Sequence, residues 1–586
     1  MKIRSLPGVK ALVVLDWYEV DMNLFLNIVA VGLLILVCAG AKASQVDCSG
    51  LAKMQLPSAE IVLAEEVAEG LFRDPSGKAY ETPNFCRVRG IARPVTKSAI
   101  TFEVWMPTSN WNGRFFQHAN WGIAGFIEYN TLAAGVRQGY AIAATDDGHT
   151  QVDFAGSDKI ISAQNIMGWA LNEPEKIIDT GYRATRETAV KSKEIIRYFY
   201  GKPADYSYLA GCSRGGNQAM QGVQRFPELW DGVLAGAPVL SFTGLYFSAV
   251  SFIQPQLDGA AGHIPAVKAK AIQEAARQNC RAEANILGGI AADPRLCRYD
   301  PIILLCKGEE TDACLTAAQI DTLKRIYNGP RNEVTGEQYI AGFEPTFENT
   351  EIKQSLGFGW LGRLLGDTPA NFIQLKSSLA FFRSMVFDDM FLNFRDINLG
   401  EHIFFTESKS VSGVPMAAVR NSTNTDLSAM QQSGAKLIMY TGWGDAAIPP
   451  QSNISYFENV AENMGGIDQI QSFFRLFVAP GMLHCMGGPG PNSFGNFLTN
   501  PEAEFDTKRS IISALEAWVE KGQPPEKVIA TKYKDDDPAE GILATRPICP
   551  YPQISVYNGT GSLDEAQNYT CLQGLTSGEV QQILGK

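Results

Sequence analysis

Short apolar runs alternate with longer amphipathic segments between residues 99 and 240. The apolar runs are bounded by Gly, Pro or Asp, which is typical of buried strands. Residues 178–199 carry apolar side chains at helical spacing, and a second helical segment follows residue 213 and ends before Pro227. The predicted strands are 99–107, 113–119, 140–147, 207–213 and 231–238. This order predicts an α/β fold with a doubly wound sheet.

The alternation stops after residue 240 and resumes near residue 435. The intervening residues are rich in helical stretches and aromatic side chains and contain four cysteines. The later elements are predicted strands at 435–445 and 473–480 and a helix at 503–521. Because strands of one sheet flank this stretch, we predict a lid domain inserted over the sheet's carboxyl edge. The predicted boundaries are 44–240 and 426–586 for the sheet domain and 241–425 for the lid domain.

The N-terminal segment contains an uncharged apolar run at residues 23–37, followed by Ala-Lys-Ala at 41–43. This pattern predicts a secretory signal peptide, residues 1–43, cleaved after Ala43. Met22 is an alternative start, since the preceding basic residues lie far from the apolar run. A membrane anchor is the other alternative, but the run is shorter than the about 20 residues of a spanning helix. We therefore expect a secreted or periplasmic protein without stable membrane insertion.

The net charge bears on the partners of the protein, and the cysteine content bears on its disulfide bonds. The chain has 62 acidic and 50 basic residues, a net charge of −12, which argues against a nucleic-acid partner. Of 11 cysteines, Cys38 falls in the predicted signal peptide, and the remaining even number indicates a disulfide framework. Spacing suggests four local pairs and leaves Cys212 and Cys485. The local pairs are Cys48–Cys86, Cys280–Cys297, Cys306–Cys314 and Cys549–Cys571.

Residues 211–215 (Gly-Cys-Ser-Arg-Gly) form a G-x-S-x-G motif between a predicted strand and a predicted helix. In that context the motif indicates a nucleophile elbow, a tight turn that needs glycines and raises the Ser213 hydroxyl above the sheet. The backbone N–H of Arg214 would then point towards an oxyanion formed at Ser213. The alternative is a glycine-rich helix start with Ser213 as its cap.

The partners of such a serine must follow it in the order acid, then histidine. His484 follows the predicted strand 473–480, and a Cys212–Cys485 disulfide would place it beside Ser213. Asp445 ends the preceding predicted strand and would hold the imidazole in the useful tautomer, although an aspartate there could also cap a turn. The residues that fit less well are His263 and His402, which lie in the insert, and Asp146 and Asp147, which precede Ser213.

Several motifs together resemble the tannase and feruloyl esterase family, which includes mono(hydroxyethyl) terephthalate hydrolases. The resemblance covers nearly all of the mature chain. It rests on GCSRGG (211–216), RFP with DGVLAGAP (225–238), WNGRF (111–115), ATDDGH (144–149), FRSMVF (382–387), GWGDAAIPP (442–450) and His484-Cys485. It implies an α/β-hydrolase fold, a Ser213–Asp445–His484 triad above a Cys212–Cys485 bridge, and acyl-enzyme hydrolysis of small aromatic esters. The alternatives are a serine peptidase of the same fold and a catalytically silent binding protein.

The chain departs from the family pattern at two loops. The second oxyanion donor of the family comes from a glycine-rich turn after WNGRF, and here we expect the N–H of Trp121 or Gly122. Relatives also carry a calcium loop of the form C-D-x-x-D-G-x-x-D-G after the first lid cysteine. Here Arg281, Ala284 and Gly288 stand where its aspartates would be, so we predict no calcium and no cofactor.

The insert also supplies candidate substrate-contacting residues. Its aromatic side chains suit the ring of an aromatic acid, although we expect most of them to form the core of the lid. The aromatic candidates are Phe358, Trp360, Phe372, Phe381, Phe382, Phe387, Phe391 and Phe394. Arg363, Arg383 or Arg395 could pair with a substrate carboxylate, and the sequence does not choose among them.

Overall fold

The computed structural model describes residues 47–123, 125–150, 166–257, 259–333, 335–351, 359–500 and 506–585. The predicted signal peptide and Phe358 lie outside these residues. Within the described ranges, no helix combines the length and the apolar character needed to cross a membrane.

A nine-stranded mixed sheet forms the centre of the fold. Its strands are β1 (Ala59–Val67), β2 (Phe85–Ala92), β3 (Ile100–Pro107), β4 (Arg114–His118), β5 (Ala141–Thr145), β6 (Tyr206–Cys212), β7 (Gly232–Gly236), β8 (Lys436–Gly442) and β9 (Phe474–Ala479). Their order is β1-β2-β3-β5-β4-β6-β7-β8-β9. The pairs from β1 to β5 are antiparallel, and those from β5 to β9 are parallel. The predicted α/β fold is confirmed, and each predicted strand is present within three residues of its expected bounds.

Helices cover both faces of this sheet. Because side chains alternate along a strand, β6 contributes to two apolar cores: Tyr208 and Ala210 pack in one, and Leu209 packs in the other. The helices of seven or more residues are α1 (Tyr129–Arg137), α2 (Ala184–Tyr200), α3 (Arg214–Arg225), α4 (Phe242–Ile253), α5 (Ala269–Gln278), α6 (Ala317–Asn328), α7 (Ile373–Phe381), α8 (Glu401–Ser408), α9 (Pro450–Asn463), α10 (Ile511–Lys521) and α11 (Ser577–Ile583). Shorter helices span Pro174–Ile178, Met416–Arg420, Ser428–Ser433 and Ile467–Ile470.

Residues 241–425, the predicted insertion, lie in sequence between β7 and β8, which are hydrogen-bonded neighbours. This segment contains α4 to α8. Within it Phe381 stacks on Tyr246 and Phe382 packs edge-on against Phe247, and these rings belong to the same apolar core as Leu209 of β6. Five of the aromatic candidates are buried, namely Trp360, Phe372, Phe381, Phe382 and Phe394. Phe387 is half-buried, and Phe391 is 90% exposed.

Five small hairpins and five disulfides complete the described chain. The hairpins pair Gly70–Arg73 with Ala79–Thr82, Ile286–Leu287 with Ile290–Ala291, Ser410–Val411 with Val414–Pro415, Val528–Tyr533 with Ile542–Ile548, and Gln553–Tyr557 with Tyr569–Gln573. The disulfides join Cys48 to Cys86, Cys212 to Cys485, Cys280 to Cys297, Cys306 to Cys314 and Cys549 to Cys571. These are the pairings expected from the spacing of the cysteines.

Candidate active site

Ser213 occupies a sharp turn between β6 and α3. Its backbone has φ 64° and ψ −118°, a conformation that a non-glycine residue rarely adopts and that marks a strained functional turn. A Cβ added at Gly211 would lie 2.7 Å from the Ala119 side chain, and one added at Gly215 would lie 2.6 Å from the Asn120 carbonyl oxygen. Ser213 is half-buried, although Cys212 and Arg214 on either side are buried. The glycines of the turn therefore pack tightly against Ala119 and Asn120, while Ser213 remains accessible.

Asp445 and His484 form a buried pair at the carboxyl ends of β8 and β9. Asp445 Oδ1 accepts hydrogen bonds from the backbone N–H groups of Ala447 (2.7 Å) and Ile448 (2.8 Å). Its Oδ2 lies 2.8 Å from His484 Nδ1. Because a carboxylate only accepts, Nδ1 carries the proton of this bond, which leaves Nε2 of a neutral ring as the basic nitrogen.

A disulfide connects the two halves of this site. Cys212 precedes Ser213, Cys485 follows His484, and their Cα atoms are 6.1 Å apart across the bond. The Cys485 carbonyl oxygen accepts a hydrogen bond from Asn496 Nδ2 at 2.9 Å, which fixes the backbone after His484. The structure thus brings the neighbourhoods of Ser213, Asp445 and His484 to one edge of the sheet.

The alternative histidines and aspartates have other partners. His263 Nε2 bonds to the Gly366 carbonyl oxygen at 2.7 Å, and His402 Nδ1 accepts from the Asn398 N–H at 3.2 Å, both within the insert. Asp146 Oδ1 accepts backbone N–H groups at 2.8–2.9 Å, and Asp147 Oδ2 accepts from Gln218 Nε2 at 2.7 Å. These carboxylates hold a turn in place, a role that their sequence positions did not reveal.

The turn expected to supply the second oxyanion donor begins directly against the elbow. The carbonyl groups of Ala119 and Asn120 abut Gly215, and the Ala119 N–H donates to the Ala210 carbonyl oxygen at 2.9 Å. Trp121 and Gly122 come next, and Gly122 is exposed with a φ of +63°. Because the Ala119 N–H is already bonded, the backbone N–H groups of this turn that could bind an oxyanion are those of the residues after Ala119.

Among the three arginine candidates, Arg363 lies nearest to this site. It is buried, its Nη1 is 3.4 Å from Gln374 Oε1, and Gln374 Nε2 donates to the Ala446 carbonyl oxygen beside Asp445 at 3.0 Å. Burial lowers the pKa of Arg363 to about 10, although the negative charge of Asp445 opposes this shift. Arg383 donates to a backbone carbonyl within the insert, and Arg395 is exposed. Sequence reasoning did not single out Gln374.

In the loop after Cys280, which the sequence predicts not to bind calcium, the described side chains make other contacts. Ala284 is buried in an apolar cluster with Leu296 and Val580. Both oxygens of the neighbouring Asp293 carboxylate are engaged by the Arg295 guanidinium at 2.8 and 2.6 Å. Across the residues that the structure describes, no group of three His, Cys, Asp or Glu side chains could hold a metal ion. Calcium binds through several oxygen ligands, and Arg281, Ala284 and Gly288 carry no carboxylate at the positions of the expected aspartates.

Comparison with known proteins agrees with the fold. Residues 86–572 match the sequence profile of the tannase and feruloyl esterase family. An uncharacterised esterase of Xanthomonas campestris is 37% identical over 93% of this chain and 94% of its own. A mono(2-hydroxyethyl) terephthalate hydrolase of Piscinibacter sakaiensis is 29% identical over 90% of this chain and 92% of its own.

The crystal structure of feruloyl esterase B from Aspergillus oryzae superimposes with a TM-score of 0.78 at 26% identity, covering 90% of this chain and 100% of that one. The family match spans most of the described chain, including the elbow, Asp445 and His484. This chain belongs to the tannase and feruloyl esterase family and is a carboxylic ester hydrolase.

Proposed function

We propose that the protein is a secreted serine esterase that cleaves esters of aromatic acids through an acyl-enzyme. Ser213 is the nucleophile, His484 the general base and Asp445 the residue that orients His484. The observation that carries this proposal is the Cys212–Cys485 disulfide, which holds the elbow beside a histidine already bonded to a buried carboxylate at 2.8 Å.

The reaction follows from the tautomer that Asp445 selects. His484 Nε2 takes the proton of Ser213 Oγ as this oxygen attacks the ester carbonyl carbon. The tetrahedral intermediate collapses, and the departing alcohol receives that proton from His484. His484 then deprotonates a water molecule, which attacks the acyl-enzyme. The second tetrahedral intermediate collapses with cleavage of the bond to Ser213 Oγ, which receives the proton from His484 as the acid leaves.

The negative oxygen of the intermediate is stabilised by backbone donors. The Arg214 N–H is the first, because it lies at the positive end of α3 directly after the elbow. The second is the N–H of Trp121 or Gly122, in the turn that begins against Gly215. Fixed donors of this kind stabilise charge that develops only in the transition state.

The segment 241–425 acts as a lid over the site. Two contacts support this role: Gln374 bonds to Ala446, and the Phe347 ring packs so closely on Gly444 that a Cβ there would lie 2.8 Å from it. Both contacts join the insert to the loop that carries Asp445. Arg363, from the same insert, is the arginine best placed to meet a carboxylate on the substrate.

An aromatic acyl group is favoured by the chain's relatives and by its lid. Relatives bear the names feruloyl esterase and mono(2-hydroxyethyl) terephthalate hydrolase, both of which denote esters of aromatic acids. The insert that would cover the acyl group is rich in aromatic residues, whose rings favour offset or edge-on contacts with other rings. Small aromatic esters are therefore the proposed substrates.

Labelling with a fluorophosphonate probe tests the serine mechanism. We expect the wild-type protein and Ser472→Ala, an exposed serine before β9 at the opposite edge of the sheet, to be labelled and active. Ser213→Ala should be unlabelled and should lose at least about 10⁴-fold in kcat.

Hydrolysis of methyl ferulate, methyl gallate and a terephthalate monoester, with the acids quantified, identifies the preferred ester. Turnover of amides alone would favour the peptidase alternative, and an unlabelled wild type would favour a silent binding protein.

Secretion is supported by the apolar run at residues 23–37 and by the five disulfides. Reduced cytosol would not maintain such a framework. Mass spectrometry of the protein recovered outside the cytoplasm should show a chain beginning at Ser44. An intact N-terminus carrying residues 23–37 would instead support the membrane-anchor alternative.

We further propose that the enzyme needs no calcium. Calcium added to EDTA-treated protein should leave the melting temperature unchanged and produce no saturable heat in calorimetry. The test is sensitive, because calcium at about 100 times its Kd would stabilise the folded state by about 2.7 kcal/mol. A saturable heat with a micromolar Kd would contradict the proposal.

A further inference from the structure

The turn at residues 146–149 lies between the two segments that would bind the oxyanion. On one side it is fixed to the sheet, because Asp146 Oδ1 accepts from the Thr101 N–H at 2.9 Å. It is also fixed to α3, since Asp147 Oδ2 accepts from Gln218 Nε2 at 2.7 Å. The nucleophile helix and this turn are therefore joined by a buried hydrogen bond.

The other side of the same turn holds the segment around Gly122. His149 Nε2 bonds to the Ile123 carbonyl oxygen at 3.0 Å, and Asn120 Nδ2 donates to the carbonyl oxygen of Thr145, the last residue of β5 before the turn, at 2.5 Å. These two bonds fix the residues on either side of Trp121 and Gly122. Among the described residues, no atom beyond its chain neighbours would lie within 4 Å of a Cβ added at Gly122.

His149 is suited to a fixed donor role. It is 4% exposed and stacks on Trp169, with ring centroids 3.9 Å apart. Burial lowers the pKa of His149 to about 3, so the ring is neutral and carries one proton. A carbonyl oxygen only accepts, so the 3.0 Å bond to Ile123 requires the tautomer with its proton on Nε2.

We infer that His149 is a positioning residue for ester hydrolysis, which acts through the Ile123 carbonyl to direct a backbone N–H of Trp121 or Gly122 at the oxyanion. The inference rests on the proposed serine mechanism. His149 acts through the backbone and not on the substrate or the reacting atoms. Because the oxyanion is present in the tetrahedral intermediate and its flanking transition states but not in the bound ester, losing the His149 bond lowers kcat and leaves KM nearly unchanged.

The substitution His149→Phe tests the inference, because phenylalanine keeps a ring against Trp169 but lacks the donor. We expect kcat to fall about 10–100-fold with KM within about threefold. The Ki of benzeneboronic acid, which forms a tetrahedral adduct with a catalytic serine, should rise by about the same factor. The matched control is His263→Phe, which removes the same type of bond, 2.7 Å to Gly366, and should change neither kcat nor Ki.

A second variant keeps the test decisive if His149→Phe does not fold. His149→Gln places an amide N–H near the position of Nε2, so its kcat should stay within about fivefold of wild type. A loss of more than about tenfold in His149→Gln at an unchanged melting temperature would overturn the inference. So would His149→Phe with kcat and Ki within about twofold of wild type. Retained activity in Ser213→Ala would instead refute the serine mechanism itself, so the two failures are distinguishable.

Discussion

Replacing Asp445 with Asn is expected to lower kcat about 10⁴-fold while the protein remains folded. Asparagine can still accept the N–H groups of Ala447 and Ile448 at Oδ1, as aspartate does at 2.7 and 2.8 Å. Its amide group, however, presents donors to His484 Nδ1, where the carboxylate accepts. The ring must then carry its proton on Nε2, which can no longer accept the proton of Ser213.

The matched control for this substitution is Asp231→Asn. Asp231 Oδ2 also accepts a backbone N–H, from Ser207 at 2.7 Å, but it lies at the amino end of β7, away from the site. We expect Asp231→Asn to leave kcat unchanged. Both variants should be compared by kcat on the best ester of the panel and by melting temperature. An Asp445→Asn enzyme that keeps more than about a tenth of wild-type kcat would show that Asp445 does not set the tautomer.

The parallel part of the sheet could be predicted because its strands are buried on both faces. β5 and β7 are buried at every residue, and such continuous apolar runs are recognisable from sequence. β1 and β2 were not predicted: β1 is a partly exposed edge strand, whose mixed apolar and polar residues do not form a clear run. The insert was predicted as a lid over the carboxyl edge of the sheet, but its individual helices were not predicted, since α4 is buried along nearly its whole length and shows no polar face to reveal its orientation.

The candidate site, like the fold, has some residues that could be predicted from the sequence and others that could not. Ser213, Asp445 and His484 could be predicted because each follows a recognisable strand and because the chemistry restricts the residue types. Asn120 and His149 could not be given roles, since their importance depends on contacts with the backbone of other turns. Gln374 meets Ala446 across 72 positions of sequence, and no local pattern encodes that contact.

Removing the Cys212–Cys485 disulfide should lower kcat strongly even under conditions in which the protein stays folded. In Cys212→Ala/Cys485→Ala we expect kcat to fall about 10²-fold, because a misplacement of about 1 Å between reacting groups has an effect of this size. The free energy of unfolding should fall by about 2–4 kcal/mol. The rates are to be measured well below the melting temperature, so that the same fraction of each variant is folded.

The matched control is Cys306→Ala/Cys314→Ala, which removes a half-buried disulfide within the insert. Its cysteines are 8 positions apart, against 273 for Cys212 and Cys485, so its loss should destabilise the fold less. It joins no part of the site, and kcat should be unchanged. Full turnover without the Cys212–Cys485 bond would show that packing alone aligns Ser213 with His484. A fall in kcat confined to that pair would show that the covalent link keeps the hydroxyl and the imidazole in register for proton transfer.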